Sequence, residues 1–411
     1  MGRGRPSGAR RALRPWLAGG PAQRRRGRSA RAPPMSAAEH DGDLADLVVV
    51  GHPFAPIGMG EHLRSTVRAL RAAGLKPGLL DVYGLDRGRD PDLERAYGPD
   101  VTRKLSPSLN LFCINANEVD EVLTRLDAGD FAQARNIIFP AWELPDYPQA
   151  WVEKLAAFDG LWAPSTFVQD AIARATGRSV AKVPLAVDMK LSAFLGRRWF
   201  DIPEHAFVVM FAFDFSSYAA RKNPFAVLEA FEQLAARRPE APLHALIKYK
   251  GGAPDSPERK ALEARIARLN GRVQTITREM SDNEVKNLFR NADVFVSLHR
   301  SEGFGRGLAE AMALGTPVVA TGWSGNMDFM DPETALLADH QLVPVKAGEY
   351  LYGEGQSWAE PDVAQASRLI EQVLDHPVEA RAMAQRARRS IRIRLNPKTV
   401  GLHALEALRS A

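Results

Sequence analysis

The feature that most constrains this chain is a series of short, two-sided apolar runs separated by helical stretches, and the series occurs twice. The first comprises Leu47–Val50, Leu79–Val82, Leu109–Asn115 and Ile137–Phe139. The second comprises Val208–Phe213, Ala245–Ile247, Val273–Ile276, Val294–Ser297 and Val318–Ala320, with helical patterns near 224–237, 257–269, 282–291 and 305–314 between them. Strands that are apolar on both faces need helices on both faces, which is the signature of a parallel sheet. The expected fold is α/β: two Rossmann-like doubly wound domains, over 39–195 and 196–388, facing across a cleft. Val183–Pro203, with two prolines and no clear period, reads as the hinge. Such sheets bind ligands at the carboxyl ends of their strands, so the site is expected between the domains.

Charge has to be divided before it informs. The 411 residues carry a net +5, but residues 1–34 hold ten Arg and no acid, leaving 44 basic against 49 acidic side chains in the body. A basic nucleic-acid-binding domain is therefore not expected. Residues 1–38 are expected to be a disordered Arg-rich extension, since Leu13, Trp16 and Leu17 are the large apolar side chains of 2–34. It reads as an anionic-surface arm, an organelle transit peptide or, preferred, translated upstream sequence with Met35 as the start. No apolar stretch is long enough for a membrane span. One cysteine, Cys113, excludes an intramolecular disulfide framework, and a cytoplasmic location is the expectation.

The chemistry concentrates in Ser301–Pro317, a crossover between two strands. Gly303, Gly305 and Gly307 let a ligand approach the backbone and free the first helical amides, and with the helix dipole they suit an anion such as a diphosphate. Phe304 lies among them. Glu302 sits in the loop, and Glu310 follows about 12 Å on by helical rise, a span matching an extended ligand with hydroxyls at both ends. Glu302 as a helix cap and Glu310 paired with a nearby Arg is the competing reading. Arg221-Lys222-Asn223-Pro224 opens the next helical stretch, where two cations oppose the helix dipole unless an anion is present. Lys248, and more weakly Lys250, end the following strand; a salt bridge to the acid-rich 257–263 helix is the plain alternative.

The stretch Glu302–Glu310, with its Glu-Gly-Phe-Gly and Glu-Ala-Met-Ala wording, resembles the E-x7-E segment of retaining GT-B glycosyltransferases, in particular glycosyltransferase family 4. The resemblance covers roughly residues 200–340 well and the amino-terminal half loosely. It implies that Glu302 holds hydroxyls of the transferred sugar, Glu310 the nucleotide ribose and Lys222 the diphosphate, with amides of Gly303 to Gly305 facing the donor. The family pattern places an Arg about five residues before the Lys, where this chain has Ser217, so the part played by Arg221 stays open. Asn326, in a turn similar to one in polysaccharide-building members, is expected to face the donor. Segment 389–411, with Leu402, Leu405 and Leu408, is expected to return onto the first domain.

In the first domain, Gly58 and Gly60 precede the first helix and are expected to approach the diphosphate across the cleft. Trp142 and Glu143 follow a strand and are placed at the acceptor side, with a sugar stacked on Trp142, or a plain core Trp, as the two readings. Many relatives use a His here; the equivalent strand end, Cys113–Glu118, has none.

The implied activity is metal-independent hexose transfer from a nucleotide diphosphate sugar to a saccharide or lipid-linked acceptor, with retention and no cofactor. Surface polysaccharide synthesis is the expected pathway by analogy. A lipid-linked acceptor brings peripheral contact with the inner face of a membrane. The rivals are an NAD(P)-dependent oxidoreductase, from Gly58-x-Gly60 and Asp81, and a non-catalytic nucleotide-sugar-binding protein.

Overall fold

The computed structural model describes residues 46–85, 87–269 and 271–410. The expected basic extension lies outside these residues. The first lobe is a seven-stranded parallel sheet ordered β3-β2-β1-β4-β5-β6-β7. Its strands are β1 (Leu47–Gly51), β2 (Gly78–Asp81), β3 (Val101–Thr102), β4 (Leu109–Phe112), β5 (Arg135–Ile138), β6 (Gly160–Ala163) and β7 (Ala181–Lys182). The second lobe is a six-stranded parallel sheet ordered β10-β9-β8-β11-β12-β13. It comprises β8 (Phe207–Asp214), β9 (Leu243–Lys250), β10 (Val273–Ile276), β11 (Val294–Ser297), β12 (Val318–Thr321) and β13 (Leu336–Ala338). An antiparallel hairpin, β14 (His340–Pro344) with β15 (Ser357–Pro361), is appended to it. In both sheets the strand order reverses beside the first strand, which makes a crevice at the carboxyl edge.

The helices that matter for the site are α1 (Gly58–Ala72), α2 (Thr166–Thr176), α3 (Pro224–Arg237), α4 (Asp282–Asn291), α5 (Arg306–Leu314), α6 (Pro377–Arg394) and α7 (Pro397–Ser410). Leu63, Val67 and Leu70 of α1 are fully buried against the sheet, as their spacing of four and three demands. Ser281 caps α4 in a reciprocal box with Glu284.

The chain passes between the lobes twice. After β7 it continues to Val187, whose amide donates to Leu395 O at 2.7 Å, so the outgoing linker is tied to the returning one. Helix α6 stays on the second lobe against α5, and α7 packs on α1 of the first. At that contact a side chain on Gly401 would meet Ala69 O at 2.2 Å, so the two helix backbones touch. Gly58 and Gly60 were expected ahead of the first helix; they form its first turn instead.

Candidate active site

The loop after β11 is fixed on two sides. The Arg300 amide donates to Arg221 O at 2.8 Å, its guanidinium to Ala220 O at 2.9 Å and to Glu360 at 2.6 Å, and Ala359 N returns to Arg300 O at 3.0 Å. The loop is thus held between the turn Ala219–Lys222 and strand β15, which brings Lys222 and Glu302 together. Lys222 Nζ lies 2.5 Å from Glu302 Oε1, and Arg221 Nη1 lies 3.4 Å from Glu302 Oε2. Burial raises the affinity of the Glu302 carboxyl for a proton, but the Lys222 and Arg221 cations outweigh it and hold the group at about 2. For Lys222, burial lowers the ammonium below its ordinary value, Glu302 opposes this, and Arg221 adds to it.

The two cations do not sit at the amino end of α3, where they were expected to oppose its dipole. Arg221 and Lys222 end a separate four-residue turn, and Asn223, at φ 53°, breaks the chain before Pro224 opens α3. They occupy the carboxyl end of that turn, and carboxylates on the protein meet their charge. Arg221 is 4% exposed; it donates to Ser301 O at 2.9 Å and faces both Glu302 and, at 3.8 Å, Glu143 of the first lobe. Tyr350 donates to the other Glu143 oxygen at 2.5 Å.

Direct contacts seal the lobes here. Ser165, the cap of α2, donates to Gly303 O at 2.5 Å, and Ser301 donates to Glu143 O. A side chain on Gly303 would meet Trp142 O at 2.4 Å. Gly305, at φ +89°, caps α5. The Glu302 amide is engaged by Ser324 Oγ at 2.9 Å, whereas those of Gly303, Phe304 and Gly305 make no hydrogen bond among the described residues.

The other end of the segment is built differently. Glu310 stands 3.7 Å from Arg306, which also reaches Glu61 of α1 at 3.5 Å, so α1 and α5 meet through one shared arginine. Burial dominates and pushes Glu310 up to about 7, Arg306 opposing and Glu61 adding to the rise. Glu61 stays ionised at about 2 because Arg68, Arg306 and Arg64 overcome its own burial.

Several expected residues lie elsewhere or do something else. Trp142 is 2% exposed, with its indole N–H on Asp146 O and its ring against Tyr147 and Trp151, so it is a core side chain and offers no stacking face. Asn326 does not face the cleft: its amide donates to Thr321 O, and its oxygen lies 3.0 Å from His299 Nε2. Phe304 packs on Phe329 at 5.2 Å between ring centroids. Lys248 does not join Lys222: its ammonium reaches Tyr249 O at 3.4 Å, and burial with the charges of Lys250 and Arg278 lowers it below its ordinary value. Lys250 pairs with Asp214 at 3.4 Å and reaches Pro56 O of the first lobe, while Glu263 of the following helix bonds Tyr249 and Arg259. Gly60 faces its own loop, since a side chain would meet Ala55 O at 2.2 Å; Gly58 has open space around it. Arg306 is the nearby arginine of the competing reading for Glu310, whereas Glu61, Tyr350, Ser165 and His299 were not singled out. Of these, Ser165 alone carried a usable signal, as a serine immediately before a helical pattern.

Residues 209–390 match the family model Glycosyl transferases group 1. The second lobe is therefore a glycosyl transferases group 1 domain. A stretch of 111 residues is 34% identical to mannosylfructose-phosphate synthase of Agrobacterium fabrum (strain C58 / ATCC 33970), covering 25% of this chain and 23% of that protein. The chain thus aligns with less than a quarter of this curated relative. Among solved structures, Anabaena Alr3699/HepE in complex with UDP and glucose superposes with a TM-score of 0.67 at 16% identity, over 89% of this chain and 99% of that one. Sucrose-phosphate synthase from Thermosynechococcus elongatus gives 0.64 at 17% identity, over 89% and 98%. At these identities the likeness is one of fold: two Rossmann-like lobes in the GT-B arrangement.

Proposed function

We propose that the protein is a retaining, metal-independent glycosyltransferase that moves a hexose from a nucleotide diphosphate sugar to a saccharide or lipid-linked acceptor. The observation that carries this reading is the Lys222–Glu302 pair, 2.5 Å apart at the carboxyl edge of the second sheet and beside the free amides that open α5. Lys222 and those amides meet the charge on the departing diphosphate, and Glu302 orients hydroxyls of the transferred sugar. The anomeric carbon–phosphate oxygen bond breaks as the acceptor oxygen bonds on the same face. The acceptor's proton passes to the leaving phosphate oxygen, so no strong protein base is needed. Glu310 takes the ribose hydroxyls; near pH 7 it can donate as well as accept.

Metal independence is supported by how Asp90 and Asp92, two acids spaced as an Asp-x-Asp metal-binding pair would be, are used. Asp90 caps a helix by accepting from the amides of Asp92 and Leu93, and Asp92 pairs with Arg95 at 2.9 Å. UDP is the favoured nucleotide, by the ligand of the similar Anabaena structure. Surface polysaccharide synthesis is the pathway proposed by analogy. The test incubates the protein with UDP- and GDP-sugars in a chelator and follows nucleotide release and anomeric configuration by NMR. Retained configuration with one donor class supports the reading; inversion, or release that requires a divalent ion, contradicts it.

A further inference from the structure

Helix α6 carries an unusual outer face. Its inner face, Ala380, Met383, Ala384, Ala387 and Ile391, is buried. The outer face presents Arg381, Arg386, Arg389 and Arg392, all exposed, together with Val378 at 70% and Ile393 at 62% exposure. At 100° per residue these six side chains fall within about 140° of one another, along a straight element about 22 Å long from 378 to 393. Glu379, the one acid of the helix, lies at the edge of that face.

Five arginines elsewhere on the second lobe, Arg237, Arg238, Arg259, Arg265 and Arg278, hold carboxylates. Among the described residues none of the four outer-face arginines of α6 has a carboxylate within ion-pair distance. The nearby acids Glu371 and Asp375 are taken by Arg237 and Arg238, and Arg386 bonds only the backbone oxygen of Glu333. Arg386–Arg389 and Arg389–Arg392 are like-charge pairs at i,i+3, an arrangement that destabilises an isolated helix.

We infer that the outer face of α6 is a docking surface for an anionic lipid bilayer. A flat row of unpaired cations complements a negatively charged plane, and each contributes roughly a fivefold gain in partition. Val378 and Ile393, one at each end of the row, are aliphatic groups among cations, which suits the boundary between headgroups and acyl chains. A nucleic acid would use the cations and leave the aliphatic groups in water. This surface goes beyond the proposed transfer reaction and uses none of its residues.

The experiment sediments the full chain with vesicles of phosphatidylcholine alone or with 30% phosphatidylglycerol added, at about 50 and 300 mM NaCl. Binding is expected to the anionic vesicles only, weakening with salt. The double variant Arg389→Glu/Arg392→Glu is expected to bind at least about 25-fold more weakly. The control Arg103→Glu/Arg268→Glu, which changes net charge equally at exposed sites elsewhere, is expected to bind as the parent does. Ile393→Asp is expected to lose the binding that survives high salt. Circular dichroism and UDP-glucose hydrolysis on the same samples separate misfolding, or failure of the transferase reading, from loss of docking. Equal losses in both double variants, parent protein that ignores anionic vesicles, or tight binding to a DNA duplex with none to vesicles would overturn the inference.

Discussion

The two glutamates that bound the Gly-rich segment are eight residues apart, and the fold gives them opposite electrostatics. Glu302 stands against two cations and is held ionised at about 2. Glu310 sits on a helix flanked by buried Ala309 and Ala311, shares one arginine with a second acid, and is pushed up to about 7. Glu302 is the more buried of the two, 12% against 21% side-chain exposure, yet it is the one held ionised, so the difference comes from who else is present. It separates a fixed negative charge, suited to steadying a sugar as positive character develops, from a carboxyl that exchanges its proton near neutrality, suited to hydroxyls.

Removing the fixed charge should have the largest effect. Glu302→Gln is expected to lower kcat by about 10²–10³-fold with donor affinity nearly kept, since its contribution is to the transition state. Steady-state kinetics check this, and a rise in KM alone would blur the distinction between the two acids. Lys222→Met leaves Glu302 with Arg221 alone; kcat is expected to fall about 10²-fold. Stability should drop by roughly 2–3 kcal/mol, below the usual loss for breaking a fully buried pair because Lys222 is partly exposed. Urea unfolding measures it.

Gly303→Ala tests whether lobe contact sets up the Glu302 end. The added carbon would collide with Trp142 O, so the lobes must part, and a loss in kcat/KM of about tenfold or more is expected. The Glu310 end is tested by pH. Its folded value lies above the ordinary 4.5, so the folded protein binds the extra proton and stability falls as pH rises from about 4.5 through about 7. The fall from this group is at most about 3 kcal/mol. Glu310→Gln should remove that slope in melting curves between pH 5 and 7.5. Glu302 contributes the opposite sign: its stabilisation is present above 4.5 and is lost as pH falls through about 2.

The same contrast explains what could be read in advance. Strands Val273–Ile276 and Val294–Ser297 and helix Asp282–Asn291 were legible to the residue, because β-branched runs and a capping box leave little choice. Strand β6, Gly-Leu-Trp-Ala, escaped because it opens on glycine, and β7 and β13 are too short to show a period. At the site, Lys222 and Glu302 were legible because both lie in local motifs of one lobe. The Arg306–Glu61 contact, the Glu143–Arg221–Tyr350 cluster and the burial of Trp142 depend on how two lobes and a hairpin dock. That information is not carried by any single stretch. Asn326 was misread for a related reason: its polar atoms are spent on Thr321 and His299, partners invisible without the fold.

The central claim is that the Lys222 ammonium receives a nucleotide diphosphate. Calorimetric titration of UDP and GDP into the parent protein and Lys222→Ala tests it most directly. The account predicts that one nucleotide binds the parent and binds the variant at least about tenfold more weakly, the loss of one charge-assisted hydrogen bond. Equal affinity for that nucleotide in both proteins would contradict it.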